Sequence, residues 1–272
     1  MRLAGHILSY QWVDFKPVLT IYDGEQVLEL DLSDVERIDM QVGKERVCVG
    51  VMSDEEYSPC PNHARLTGSW SQCPECARPF IPDLSCVFEP KCDGSLCGGV
   101  EFCSRPHVVY LAMTGNLMKI GMTSEKRERQ RLIEQGADAY AILRHEKNRL
   151  EARKEEKRLS ASLGIKQAHS KRDILSQMKK KIDYDAMKYT FSGIMKDVFP
   201  PDSSPPDFHV LRDYPMELPL RRVPFLRPTP GRHSGRILGL KGRFMIYDAP
   251  GIYALDMGDL VGRRTRISVN FK

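Results

Sequence analysis

Short runs of alternating apolar and polar residues open the chain, as in Pro17-Val-Leu-Thr-Ile-Tyr and Gln26-Val-Leu-Glu-Leu-Asp-Leu, with Asp23-Gly24 between them. Period-two alternation on both sides of an Asp-Gly pair predicts a hairpin, so residues 1–56 are expected to form a small antiparallel β module. Two further β-prone runs, 108–113 and 117–122, flank Thr114-Gly115-Asn116 and predict a second hairpin. The charged run from Glu125 carries Leu132 and Ile133 and stops at Gly136, the residue expected just beyond a helix end. A strand over 140–144 follows, then a helix from about Lys147 to Gly164 with Leu150, Ala152, Leu159 and Leu163 as a sparse apolar stripe. Residues 171–181 predict another helix, with Ile174, Leu175 and Met178 inward and Lys179, Lys180 and Lys181 at its end. The centre therefore reads as a small α/β unit.

The last part of the chain repeats the first. Gly235-Arg-Ile-Leu matches Gly5-His-Ile-Leu, and residues 246–260 align without gaps on 21–35 with six of fifteen positions identical. This predicts two related β modules, paired so that neither exposes an apolar sheet edge. Phe199-Pro-Pro-Asp-Ser-Ser-Pro-Pro-Asp is too rich in proline for a helix or central strand and predicts a linker. The expected organisation is a β module over 1–56, a metal-binding segment over 57–104, an α/β domain over 105–198, a linker over 199–208 and a second β module over 209–272. The fold class is α+β.

Charge is unevenly spread. Residues 1–60 hold 5 Lys/Arg against 12 Asp/Glu, residues 104–181 hold 19 against 9, and residues 201–272 hold 12 against 7. A positive field concentrated on the centre would draw a polyanion, DNA or RNA, with Arg127, Arg129 and the three terminal lysines of the 171–181 helix as candidate contacts. Trp12, Phe15 and Trp70 are available for stacking, although core packing is their simpler role. No apolar run approaches the roughly 18–20 residues that span a bilayer, and the first residues lack a secretion signal, so a cytoplasmic protein without a membrane partner is expected.

The chain has eight cysteines, and in that compartment metal binding is the better use for them than disulfides. Cys60-Pro-Asn-His63 and Cys73-Pro-Glu-Cys76 form two pairs of ligand residues, each with two residues between partners, and a short loop between the pairs. Cys60, His63, Cys73 and Cys76 thus predict one closed tetrahedral structural zinc site built from two knuckles. Cys86, Cys92, Cys97 and Cys103 follow in a Gly- and Pro-rich stretch with little room for a core, where a second zinc site would supply folding energy. Cys48, within Arg-Val-Cys-Val-Gly, reads as a buried strand residue.

Val109-Tyr110, Lys119-Ile120-Gly121, Thr123, Arg131 and a later helical Glu together resemble the GIY-YIG nuclease superfamily over residues 107–165. The Lys-Ile-Gly form is similar to a phage-associated branch. The wider arrangement, with cysteine pairs before His-x-Val-Tyr-Leu-Ala, resembles an uncharacterised family of bacterial and archaeal zinc-finger proteins. The resemblance implies that Tyr110 orients or deprotonates the attacking water and that Arg131 neutralises phosphate oxygens. It also implies that Glu156 holds one Mg²⁺ or Mn²⁺. Lys119 stands where the superfamily has a second tyrosine, and contact with phosphate suits an ammonium better than base catalysis. Asn116 and Asn148 are candidates for the asparagine that completes some of these sites, and His107 and His145 for a phosphate contact or proton carrier, with capping or packing the simpler role for both histidines. The implied function is a divalent-metal-dependent phosphodiester hydrolase. The alternatives are a DNA- or RNA-binding module that does not cut and a protein-interaction scaffold.

Overall fold

The computed structural model describes residues 1–53, 56–97, 100–200 and 204–272. The opening strands are β1 (Arg2–Val13), β2 (Lys16–Tyr22), β3 (Val27–Asp31) and β4 (Val35–Arg46), followed by a short ribbon of β5 (Val51–Met52) and β6 (Tyr57–Ser58). Two single-turn helices, α1 (Pro74–Ala77) and α2 (Glu101–Ser104), precede β7 (His107–Thr114), β8 (Leu117–Ser124), α3 (Glu128–Gln135), β9 (Ala139–Glu146) and α4 (Arg149–Leu163). Then come α5 (Lys171–Gln177), α6 (Tyr184–Val198), β10 (His209–Val210) and β11 (Phe225–Leu226). The last strands are β12 (Gly231–Lys241), β13 (Phe244–Ala249), β14 (Gly251–Asp256) and β15 (Arg263–Phe271). Among the described residues no helix is long and apolar enough to cross a membrane.

The chain divides into two compact units, the first made of residues 1–84, 214–217 and 224–272, the second of 85–213 and 218–223. The first unit is built on one nine-stranded sheet ordered β11-β14-β13-β12-β4-β15-β1-β2-β3. Apart from β11, that order reads the same from either end when β1–β4 are exchanged with β12–β15. Each half forms a three-stranded meander, and its fourth strand crosses over: β4 pairs with β12 and β15, and β15 pairs with β1 and β4. The two halves repeat their local devices. The ladder is bulged between Ile7 and Ser9 in one half and between Ile237 and Gly239 in the other. A Cβ on Gly5 would lie 2.4 Å from the Tyr22 carbonyl oxygen, and one on Gly235 would lie 2.2 Å from that of Asp248, so only glycine allows these strands to approach as they do. Asp31 Oδ1 accepts the Ser33 N–H at 2.8 Å, and Asp256 Oδ1 accepts the Gly258 N–H at 3.1 Å. The ungapped match holds from β3 and β14 onward. In the preceding strands it is out by one residue, Tyr22 rather than Asp23 taking the place of Asp248, because the turn from Tyr22 to Val27 is one residue longer than that from Asp248 to Ile252.

The second unit holds a four-stranded antiparallel sheet ordered β10-β9-β7-β8. Strand β7 is buried along nearly its whole length, as expected of a central strand covered on both faces. Val109, Leu111, Ile120, Ala141 and Leu143 of the sheet pack with Ala152 and Leu159 of α4 and with Phe191 and Met195 of α6. Gly136 and Gly164 adopt left-handed conformations that end α3 and α4, as their sequence positions predict. Helix α6 was not foreseen, and α5 stops at Gln177, so Lys179, Lys180 and Lys181 are exposed residues beyond its end.

The predicted linker is not a free spacer. Phe199 and Phe208 pack against the core of the second unit, Arg144 lies over the Phe199 ring at 4.7 Å, and β10 joins β9. Residues 209–213 therefore belong to the second unit rather than to the second β module. Residues 201–203 of the predicted linker lie outside the described residues, as do Gly98 and Gly99 of the cysteine-rich stretch.

Candidate functional site

In the first unit the Sγ atoms of Cys48, Cys60, Cys73 and Cys76 all lie within 4.8 Å of one another, and all four residues are buried. The Cys60 and Cys73 sulfurs are 3.9 Å apart. A tetrahedron with Zn–S bonds of about 2.3 Å has S···S edges of about 3.8 Å, so the set has the geometry of a closed structural zinc site. Cys48 replaces His63 as the fourth member. The chain turns at His63 with φ 44°, leaving that side chain exposed. Cys48, in contrast, leaves the end of β4 and is held in place from both sides. Its N–H bonds the Ala64 carbonyl at 2.8 Å, and Val47 N–H bonds the Gly262 carbonyl at 2.7 Å. The Cys48 sulfur also accepts N–H groups from Cys73 at 3.2 Å and Gly50 at 3.4 Å.

Burial opposes ionisation of Cys48, Cys60 and Cys76. Cys60 is nevertheless held below the usual thiol value, because the Ala64 and Asn62 backbones and the neighbouring thiols outweigh that burial. Cys48 is pushed up by burial, and Cys76 by burial and by the other three thiols. A set that favours one thiolate and resists the next is one whose full ionisation calls for a cation at its centre. Arg46 closes the loop between the cysteine pairs, donating to the carbonyls of Gly68 at 2.5 Å and Val261 at 3.1 Å.

Cys86, Cys92, Cys97 and Cys103 belong to the second unit. They are close enough that Cys92, Cys86 and Cys103 add to burial in raising Cys97. Among the described residues, however, the group of four around Cys48 is the one whose ligand atoms converge within 4.8 Å. The Cys86 backbone carbonyl accepts from Arg149 of α4 at 2.7 Å.

The second unit brings Tyr110, Lys119 and Gln135 into one hydrogen-bonded chain. Tyr110 on β7 stands opposite Gly121 on β8, and a Cβ there would lie 2.5 Å from the phenol oxygen. Glycine is what lets the ring lie across the neighbouring strand. Lys119 Nζ donates to Gln135 Oε1 at 2.7 Å, which orients the amide so that its Nε2 donates to the Tyr110 oxygen at 2.8 Å. Burial pushes the phenol up from its ordinary value, while the Arg131 guanidinium and Gln135 pull it back. Burial, followed by repulsion from Arg131, brings Lys119 down to about 8, with Glu156 opposing. The fields of Arg131 and Glu156 thus both reach Tyr110 and Lys119.

Glu156, on α4, is buried, and its Oε2 accepts from Arg153 Nη1 at 2.6 Å. Arg153 is itself held by Glu89 and Gln167. Arg131 on α3 is half exposed and lies 3.5 Å from Glu134, while Arg127 donates to the same carboxylate at 2.8 Å. Arg129 projects from the exposed side of α3. The remaining candidates have structural partners. Asn148 caps α4 through the Glu151 N–H, His107 Nδ1 lies 2.8 Å from the Arg105 carbonyl, and His145 pairs with Glu125. Asn116 meets Gln177 through its backbone N–H. Trp12 and Phe15 pack against Tyr214. Sequence reasoning missed Cys48 and Gln135. Gly50, two residues after Cys48, was the available signal for the first. Gln135 stood in the sequence only as part of the Gln-Gly-Ala end of α3, and its role shows in the Lys119 and Tyr110 bonds it makes.

No curated protein and no solved structure matches the chain. Residues 36–262 match a family model described as a protein of unknown function, DUF2797. That span contains both the four-cysteine cluster and the Tyr110–Gln135–Lys119 chain, and the protein is a member of this family.

Proposed function

We propose that the protein is a zinc-stabilised nucleic-acid-binding protein whose second unit carries a GIY-YIG-like phosphodiesterase site. The carrying observation is that a strand phenol, a strand amine, a guanidinium from α3 and a carboxylate from α4 act on one another electrostatically. Zinc at Cys48, Cys60, Cys73 and Cys76 would be structural, since four protein ligands leave no open position.

In this reading Arg131 and Lys119 receive the phosphate oxygens. Gln135 donates to the Tyr110 oxygen, which stabilises a phenolate and equips Tyr110 to take a proton from the attacking water. Glu156 fits a hard divalent cation on minimal terms: Oε2 is engaged by Arg153, which leaves Oε1 as its ligand atom, and Mg²⁺ commonly binds one carboxylate plus waters. When bound, such an ion would supply Lewis-acid stabilisation of the leaving oxygen.

The test is cleavage of end-labelled single- and double-stranded DNA and RNA with Mg²⁺ or Mn²⁺. The wild type is expected to cut at least one substrate. Tyr110→Phe and Glu156→Ala are each expected to lose at least about 100-fold in rate with affinity largely kept. Retained cutting by Glu156→Ala removes the metal assignment. The buried Arg153–Glu156 pair favours a second reading, a module that binds without cutting, and an inactive wild type that still binds would select it.

A further inference from the structure

Arg264 and Arg266 of β15 were not absorbed by that reading, and they lie in the other unit. Directly opposed residues in an antiparallel ladder point to the same face. Arg264 stands opposite His6, which stands opposite Tyr22, so these three form one row on the sheet. Two residues along, Ala4, Arg266, Gln41 and Arg232 form the next row across β1, β15, β4 and β12. Of the three arginines of β15, Arg263 is buried and held by Asp259, whereas Arg264 and Arg266 are exposed and, among the described residues, have no carboxylate or hydrogen-bond partner. Arg232, in contrast, is held by Asp39 through two bonds of 2.9 and 2.8 Å.

These rows floor a cavity of about 520 Å³ whose far wall is the segment carrying Cys48 and Cys60. Tyr22 and Tyr57 line it as an aromatic pair with centroids 4.8 Å apart, and His6, His63, Arg264 and Arg266 line it as well. The His6 ring is held by the Gly262 and Val47 backbones. Among the described residues Asp23 is the one carboxylate of the lining. A groove of about 440 Å³ continues from the cavity along Arg266, Gln41 and Arg2. Aromatic walls and two unpaired guanidinium groups at the rim match a base with its flanking phosphates.

We propose that this face of the first unit binds a single-stranded nucleic acid, with one base in the cavity beside the cysteine cluster and the adjoining phosphates on Arg264 and Arg266. The inference rests on the reading that the protein engages nucleic acid, but not on its cutting it.

The test is fluorescence anisotropy with labelled 12-nucleotide dT and rU strands, zinc-loaded full-length protein and no added Mg²⁺ or Mn²⁺. The double variant Arg264→Glu/Arg266→Glu is expected to weaken binding of at least one strand more than tenfold, and the Arg→Lys pair to retain most of it. A strand of equal charge with abasic sites is expected to bind about tenfold more weakly than the intact one. Wild-type affinity in the Glu double variant, or equal affinity for the abasic strand, overturns the inference while leaving the nucleic-acid reading intact. No binding of any strand by the wild type removes both, and displacement by polyglutamate as effective as by the strand points to an acidic protein partner and overturns this inference. Should the double variant lose its zinc, photocrosslinking of a 4-thiouridine strand to the wild type decides. Adducts on residues 4–24, 41–63 or 264–266 support the proposal, and adducts confined to residues 107–181 overturn it.

Discussion

In the first unit, four sulfurs are gathered by a turn after β4, the loop after β6 and the helix start at Pro74, and each approach is guided by backbone hydrogen bonds. In the second unit, a phenol, an amide and an amine meet because β7 and β8 are regular, fully paired strands and Gly121 leaves space between them. One centre is a point where poorly regular chain is tied together, and its energy comes from whatever occupies it. The other sits on rigid elements whose order comes from apolar packing. The contrast teaches that the two sites will fail separately, under different insults.

The largest expected effect is metal removal. Chelation, or Cys48→Ser, withdraws binding energy on the order of 10 kcal/mol. The first unit is expected to melt well below the second, turning a thermal scan into two steps. His63→Ala is expected to keep both its zinc stoichiometry and the wild-type melt. A Cys48→Ser protein that retains one tightly held zinc would break the comparison. Next comes Gly121→Ala, whose new methyl must displace the Tyr110 ring. About 1–3 kcal/mol of destabilisation is expected in the second unit alone, read by chemical denaturation, with the zinc content unchanged.

The smallest effect is one of pH. With Lys119 at about 8, its charge is mostly present at pH 7 and mostly lost at pH 9, so the slope of log affinity against log salt should shrink by about 0.7–0.9 over that window. Lys119→Arg is expected to abolish that change. The sign for stability is opposite. The folded value lies below the ordinary 10.5, so the unfolded chain binds more protons between about 8 and 10.5, and this group makes folding more favourable as pH rises through that range.

Local pattern made much of the second unit legible. Alternation around residues 107–124 and the glycines at 136 and 164 mark the hairpin and two helix ends that the structure shows. Helix α6 carried its own signal, Met187, Phe191 and Met195 at helical spacing behind the Asp183 cap, yet no element was assigned between residue 181 and the proline run. Cys48 was hidden because it lacks a neighbouring ligand residue. Its place in the cluster depends on the Ala64 and Gly262 carbonyls, which only the folded chain brings near. The exchange of fourth strands was illegible for a similar reason, since ladder partners such as Gln41 and Arg232 are remote in the chain.

That exchange has a consequence for synthesis. When β4 emerges, both strands that will flank it are still unmade, for they lie beyond residue 230. A nascent chain must carry an open ladder edge through the entire assembly of the middle unit, and closure then joins segments of very large sequence separation, which is slow. The waiting edge is the place where a chaperone would bind or a second nascent copy would dock, and the charges at Glu36, Arg37, Asp39 and Lys44 along β4 discourage the second of these.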